Sequence, residues 1–160
     1  MGSGKSRVGR ELSVALGWEF IDLDSYIEHK IGKSIPEIFS EGEEHFRAVE
    51  AEAVRDVITM REITGESLVL ALGGGTLMTG SIRDLILEHT CCVYLQTGLD
   101  EIIKRLGTRS KSRPLFNGKY EIESLLDSRI PTYELAGHTV STDGKTPEMV
   151  ASDILAFIIP

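Results

Sequence analysis

Six residues at the start of the chain, Met1-Gly2-Ser3-Gly4-Lys5-Ser6, constrain its fold more than any other stretch. They read as the tail of a phosphate-binding loop, G-x-x-x-x-G-K-[S/T]. Glycines let such a loop wrap closely round a phosphate chain and turn successive N–H groups inward. The lysine ammonium reaches the terminal phosphates, and the serine hydroxyl is a Mg²⁺ ligand. The helix that follows aims its positive end at the same anions. Val8, Leu12, Ala15 and Leu16 recur at helical spacing directly after the loop, so a chance Gly/Ser turn is the weaker reading. The motif's first glycine is expected just before Met1, and a central strand before that. Losing such a strand leaves main-chain groups unpaired and a slot in the core. The expectation is therefore that the native chain starts earlier and that Met1 is an internal methionine of the loop.

Strand and helix signals alternate along the rest of the chain. Gly17 closes the first helix, and Trp18 to Ile21 is a short strand ahead of Asp22-Leu23-Asp24. Tyr26 to Ile31 is helical. Ser34, with Pro36 and Glu37 behind it, signals a capped helix start. Glu43 to Met60 carries an apolar stripe of Phe46, Val49, Ala53, Val54 and Val57. Leu68 to Leu72 and Cys91 to Leu95 are continuous apolar runs, as in parallel strands covered on both faces. Helices are expected over 81–89, 99–106, 122–129 (interrupted by Pro131) and 147–157, with a last strand over 138–142. This is an α/β pattern: a mostly parallel sheet between two helical layers, in one domain spanning 1–160.

Composition excludes several classes. No apolar run approaches the ~20 residues that cross a bilayer, and the N-terminus has no signal pattern, so the cytoplasm is expected. Cys91 and Cys92 are adjacent, so their side chains point to opposite faces of a strand and do not suit a disulfide. The net charge of −8 argues against a nucleic-acid or membrane-surface partner. Yet residues 104–119 hold six of the 17 basic residues and no acid. That run is either a local anion site or a solvated helix end and loop. Residues 107–120 lack an apolar period and are expected to form a mobile lid loop.

In open α/β sheets ligands bind beyond the carboxyl ends of the strands. The phosphate loop, Asp22/Asp24, Gly73-Gly74-Gly75 and Thr142-Asp143-Gly144 all fall at such ends. Asp22-x-Asp24 is either a helix N-cap or a metal and hydroxyl pair, and the neighbouring phosphate loop favours the second. The triple glycine marks a tight turn or a close ligand. No carboxylate ends the strand before it, so Asp22 is the obvious metal support. Arg47 and Glu50 share a helix face. They form either a surface ion pair or an arginine oriented to grip a carboxylate in a fork. An arginine of the stretch 109–113 can stabilise charge on transferring phosphate.

The ordered series Gly2–Ser6, Asp22-Leu23-Asp24, Phe46-Arg47-x-x-Glu50, Gly73–Gly75, Arg113-Pro114-Leu115 and Ser128-Arg129-x-Pro131-x-Tyr133 resembles the shikimate kinases, small kinases of the phosphate-loop superfamily. The resemblance runs over essentially the whole chain. It implies a three-layer αβα sandwich with strand order 2-3-1-4-5, strand 1 being the one expected before Met1. It implies ATP-dependent phosphorylation of the 3-hydroxyl of shikimate, a step toward chorismate and the aromatic amino acids, by a monomer. It implies that Gly2, Ser3, Gly4, Lys5, Ser6, Arg7, Arg113, Lys145 and Pro147 contact ATP. Mg²⁺ falls to Ser6 and, through water, Asp22. Shikimate falls to Asp24, Arg47, Gly73, Gly74, Gly75 and Arg129, with Lys5, Asp24 and Arg113 carrying the chemistry. Other readings are a gluconate-type kinase or a nucleotide-binding protein inactive through N-terminal truncation. Arg7 stands where the family usually has threonine. Arg7→Thr is expected to change ATP affinity by less than about fivefold, as for an exposed charge. A larger loss in a binding titration would make Arg7 a phosphate ligand.

Overall fold

The structure is a computed structural model that describes residues 2–107 and 119–159. Helix α1 (Lys5–Leu16) ends at Gly17, whose φ of 67° lets the Trp18 N–H turn back to the Ser13 carbonyl at 3.0 Å. Strand β1 (Glu19–Asp22) runs straight into α2 (Leu23–Ile31). Asp22 is thus the last strand residue, not the first residue past it. Helix α3 (Ile35–Ser40) opens on the expected cap: the Glu37 carboxylate accepts from the Ser34 N–H at 2.7 Å and from its hydroxyl at 2.6 Å. Helix α4 (Glu43–Thr64) outruns the expected end at Met60, because no breaker intervenes before Gly65. Strand β2 (Leu68–Ala71) leads through the glycines into a short 3₁₀ turn (Thr76–Met78) and α5 (Gly80–His89). Then follow β3 (Val93–Gln96), α6 (Leu99–Gly107), α7 (Lys119–Tyr133), β4 (His138–Ser141) and α8 (Pro147–Ile158).

Two expectations need correction here. Pro131 does not interrupt its helix, since α7 runs through it to Tyr133. A proline this close to the end costs one main-chain bond, and Glu134 still donates to the Ile130 carbonyl at 2.9 Å. The Tyr133 ring also packs against Tyr94 of β3, with centroids 5.2 Å apart. The loop expected over 107–120 is trimmed at both ends, because Gly107 closes α6 and Lys119 and Tyr120 open α7. Residues 108–118, with Arg109, Lys111, Arg113 and Pro114, lie outside the described residues.

All strand pairing among the described residues is parallel. β1 pairs with β2 from Glu19↔Leu68 to Asp22↔Ala71, and β3 with β4 from Val93↔His138 to Gln96↔Ser141. Between β2 and β3 lies an apolar slot of about 390 Å³. Helices cover both faces. On one, α1 and α8 build a core of Val8, Leu12, Val150 and Ile154 under Val140 of β4. On the other, α2 to α5 bury Leu23, Ile27, Ile38, Val54 and Ile86. Among the described residues no helix is long and apolar enough to cross a membrane.

Helix α1 lies close on β1 because Gly9 has no side chain: a Cβ there would sit 2.5 Å from the Phe20 ring. Phe20 is held from outside by the Arg10 guanidinium, 4.9 Å from the ring centroid. Gly9→Val therefore overpacks the contact and is expected to cost about 1–3 kcal/mol, read as a lower urea midpoint. An unchanged midpoint would mean that Phe20 swings out freely.

Candidate active site

The phosphate end is built at the start of α1. Gly4 sits at the N-cap with φ 90° and ψ 17°, a left-handed geometry that favours glycine, and its carbonyl accepts from the Arg7 and Val8 N–H groups. No side chain caps this helix and no acid lies in its first turn, so its positive end is not neutralised from within. Ser6 donates its hydroxyl to Asp22 Oδ2 at 2.5 Å, across from the end of β1. The other Asp22 oxygen accepts from the Ser25 N–H at a long 3.4 Å, capping α2. Asp22 thus caps α2 with one oxygen and meets the phosphate-loop serine with the other. Arg7 leaves the first turn of α1 exposed.

Arg105, which sequence reasoning placed only within the basic run, ties this loop to β4. Its Nη1 donates to the Gly2 and Ser3 carbonyls at 3.4 and 3.3 Å, and Nη2 to the Thr142 carbonyl at 3.3 Å. Glu101 holds the Nε at 2.9 Å, one turn earlier on α6. That i,i+4 pair was the signal available in the sequence. The ends of β3 and β4 are joined in turn. The hydroxyls of Thr97 and Thr142 lie 2.6 Å apart, and both Asp143 oxygens accept from the Gly98 N–H at 3.0 Å. Lys145 and Pro147 follow on this same rim. The Lys145 ammonium is engaged by Asp153 at 2.8 Å, and Pro147 begins α8 behind the Thr146 cap.

The second half of the site surrounds Gly73–Gly75. A Cβ on Gly73 would lie 3.1 Å from Asp24 Oδ1 and 3.1 Å from Thr76 Oγ1. A Cβ on Gly75 would lie 2.8 Å from Arg47 Nη2. The glycines are there for room, because a carboxylate presses on one end of the turn and a guanidinium on the other. Arg47 Nη1 donates to Glu50 Oε2 at 2.7 Å, and Glu50 is 1 % exposed. This is no surface ion pair: a buried carboxylate orients the Arg47 guanidinium. Tyr133 donates its hydroxyl to the Gly74 carbonyl at 2.5 Å. Burial pushes the Tyr133 phenol above its ordinary range, while the hydrogen-bonded Arg129 beside it pulls the other way. The phenol thus keeps its proton at neutral pH and remains a donor. Sequence reasoning noted Tyr133 only as a motif position and passed over Thr76.

Of the residues singled out from sequence, the structure brings together Ser6 with Asp22, Asp24 with Gly73, Arg47 with Gly75, and Arg129 with Gly74 through Tyr133. All stand at the carboxyl ends of β1 and β2 and the start of α1. One rim therefore offers an anion-binding helix end, two adjacent carboxylates and two guanidiniums round a glycine turn. That set suits phosphate at one side and a small hydroxylated anion at the other.

Comparison with known proteins gives the same answer over the whole chain. The shikimate kinase family model matches residues 1–159. A shikimate kinase of Salinispora arenicola is 44% identical over 98% of this chain and 92% of its own. One of Thermus thermophilus is 43% identical over 97% of this chain and 84% of its own. Among solved structures, shikimate kinase from Acinetobacter baumannii in complex with shikimate superposes with a TM-score of 0.89 at 36% identity, covering 99% of this chain and 88% of that one. The chain belongs to the shikimate kinase family.

Proposed function

We propose that the chain transfers the γ-phosphoryl group of ATP to the 3-hydroxyl of shikimate, giving 3-phosphoshikimate and ADP. The observation that carries this is the glycine turn held between Asp24 and Arg47, beside an uncapped phosphate-loop helix. The reading calls for a small-molecule acceptor and for no nucleic acid, membrane or second subunit.

ATP phosphates sit on the N–H groups of Gly2 to Ser6 and on the Lys5 ammonium, with the positive end of α1 behind them. The rim past β4, with Lys145 and Pro147, takes the adenine. Ser6 and Asp22 supply the hard oxygen donors that suit Mg²⁺, and their 2.5 Å approach fits a serine ligand with a carboxylate holding its water. Mg²⁺, when bound, neutralises charge on the phosphate oxygens. Arg47 and Arg129 hold the substrate carboxylate. Tyr133 occupies the Gly74 carbonyl, which leaves the N–H side of the turn for ring hydroxyls. Asp24 receives the 3-hydroxyl proton as the oxygen–phosphorus bond forms, and ADP leaves with the electrons of the broken bond.

The test is ADP release with shikimate, gluconate or nucleoside monophosphates as acceptor, with the product identified by NMR. Turnover is expected with shikimate alone. Turnover with gluconate alone would support the gluconate-type reading, and ATP binding without turnover the inactive one. Asp24→Asn is expected to lower kcat by about 10²–10⁴-fold while shikimate still binds. Arg47→Lys loses the fork and is expected to raise the shikimate KM about tenfold or more.

A further inference from the structure

Thr76 is fully buried, at 0 % exposure, yet it carries a hydroxyl. That hydroxyl donates to Glu50 Oε1 at 2.6 Å. The other oxygen of Glu50 takes Arg47 Nη1 at 2.7 Å. The guanidinium of Arg47 then returns to the turn that bears Thr76, where the missing Cβ of Gly75 makes room for it. The turn itself is fixed from within by the Thr76 N–H on the Gly73 carbonyl at 3.3 Å. The contacts form a closed circuit: Thr76, Glu50, Arg47, Gly75.

A competing pull acts on Arg47. Its Nη2 also meets Glu43 at 3.4 Å, and Glu43 lies one helical turn back in solvent, with its side chain 67% exposed. Whether the guanidinium faces the glycine turn or swings outward depends on how firmly the Glu50 carboxylate is held. A carboxylate buried this deeply needs donors on both oxygens. Thr76 supplies the donor on the oxygen that Arg47 does not use.

We propose that Thr76 is a positioning residue for the substrate carboxylate: its buried hydroxyl locks Glu50, and Glu50 locks Arg47 against Gly75. This rests on the reading that Arg47 grips the carboxylate of shikimate. Thr76 touches no substrate. It sets the affinity for one substrate group and leaves the phosphoryl-transfer step alone.

The test compares wild type, Thr76→Val and Thr76→Ser with shikimate and with its carboxamide, which keeps the ring hydroxyls but lacks the anion. Valine keeps the shape and loses the donor, whereas serine keeps the donor. Thr76→Val is expected to raise the shikimate KM about tenfold, with kcat within about twofold and the ATP KM unchanged. Thr76→Ser is expected to restore the wild-type value. With the carboxamide, wild type and Thr76→Val are expected to be equal. A Thr76→Val protein with the wild-type shikimate KM would overturn the proposal. So would a penalty that persists with the carboxamide, since that is what general packing damage produces. If the valine protein does not fold, Thr76→Ala is measured against Thr76→Ser, with the same KM difference expected between them and equality overturning the proposal. A wild-type chain that leaves shikimate unphosphorylated overturns the proposed function itself, and this inference with it. Wild-type turnover with an unaffected valine protein overturns the Thr76 role alone.

Discussion

The hydroxyl of Ser6 on the carboxylate of Asp22 sets the distance between the two halves of the site. Ser6 is the second residue of α1, and Asp22 is both the last residue of β1 and the cap of α2. Fixing one to the other fixes the phosphate-binding end of α1 relative to the first turn of α2, where Asp24 stands. As an exposed contact it adds little to stability. Its value is registry: Asp24 is carried on the helix that Asp22 begins, so a shift at Ser6–Asp22 would move the Asp24 carboxylate relative to the phosphate loop. Near-attack geometry tolerates displacements well under 1 Å.

The other half depends on Glu50. Removing a carboxylate from water costs several kcal/mol before its partners are counted. The chain meets that cost with Arg47 and Thr76, and no buried side-chain nitrogen or oxygen among the described residues is left without a partner. The same groups crowd the glycine turn so closely that side chains on Gly73 or Gly75 would collide with them. Gly73 and Gly75 are thus explained by the polar groups packed against them, before any ligand is considered. Phe46 adds a second restraint, its ring centroid 5.2 Å from the Arg47 guanidinium.

Local grammar was well legible in the sequence. The Gly17 stop, the Ser34–Glu37 cap, the parallel strands and the αβα layering follow from signals within a few residues of each other, and the structure has them. The Arg47/Glu50 pair was also legible, because its spacing on one helix brings the two side chains together. What escaped were contacts between elements far apart in the chain. Arg105 reaches Ser3 across 102 positions, Tyr133 reaches Gly74 across 59, and Thr76 reaches Glu50 across 26. Spacing within one element says nothing of such partners. Pro131 misled for a different reason: the breaking rule weighs one lost hydrogen bond, whereas the last turn of α7 is held by Tyr133 packing on Tyr94.

The two arginines of the proposed carboxylate site are unlike in what stands behind them. Arg47 is paired with a buried carboxylate, so Arg47 and Glu50 together bring little net charge to the site. Arg129 is backed by Tyr133, a phenol that burial keeps protonated, and none of the described carboxylates forms a salt bridge with it. Arg129 therefore brings a positive charge that no salt bridge among the described residues offsets, and that attraction acts over distance. Arg47 supplies direction, because its guanidinium plane is fixed by Glu50, Phe46 and the glycine turn. In the proposed carboxylate site, an anion would be drawn by the one and aligned by the other. A site with two unpaired guanidiniums would attract anions more strongly, but it would leave two like charges facing each other whenever the substrate is absent.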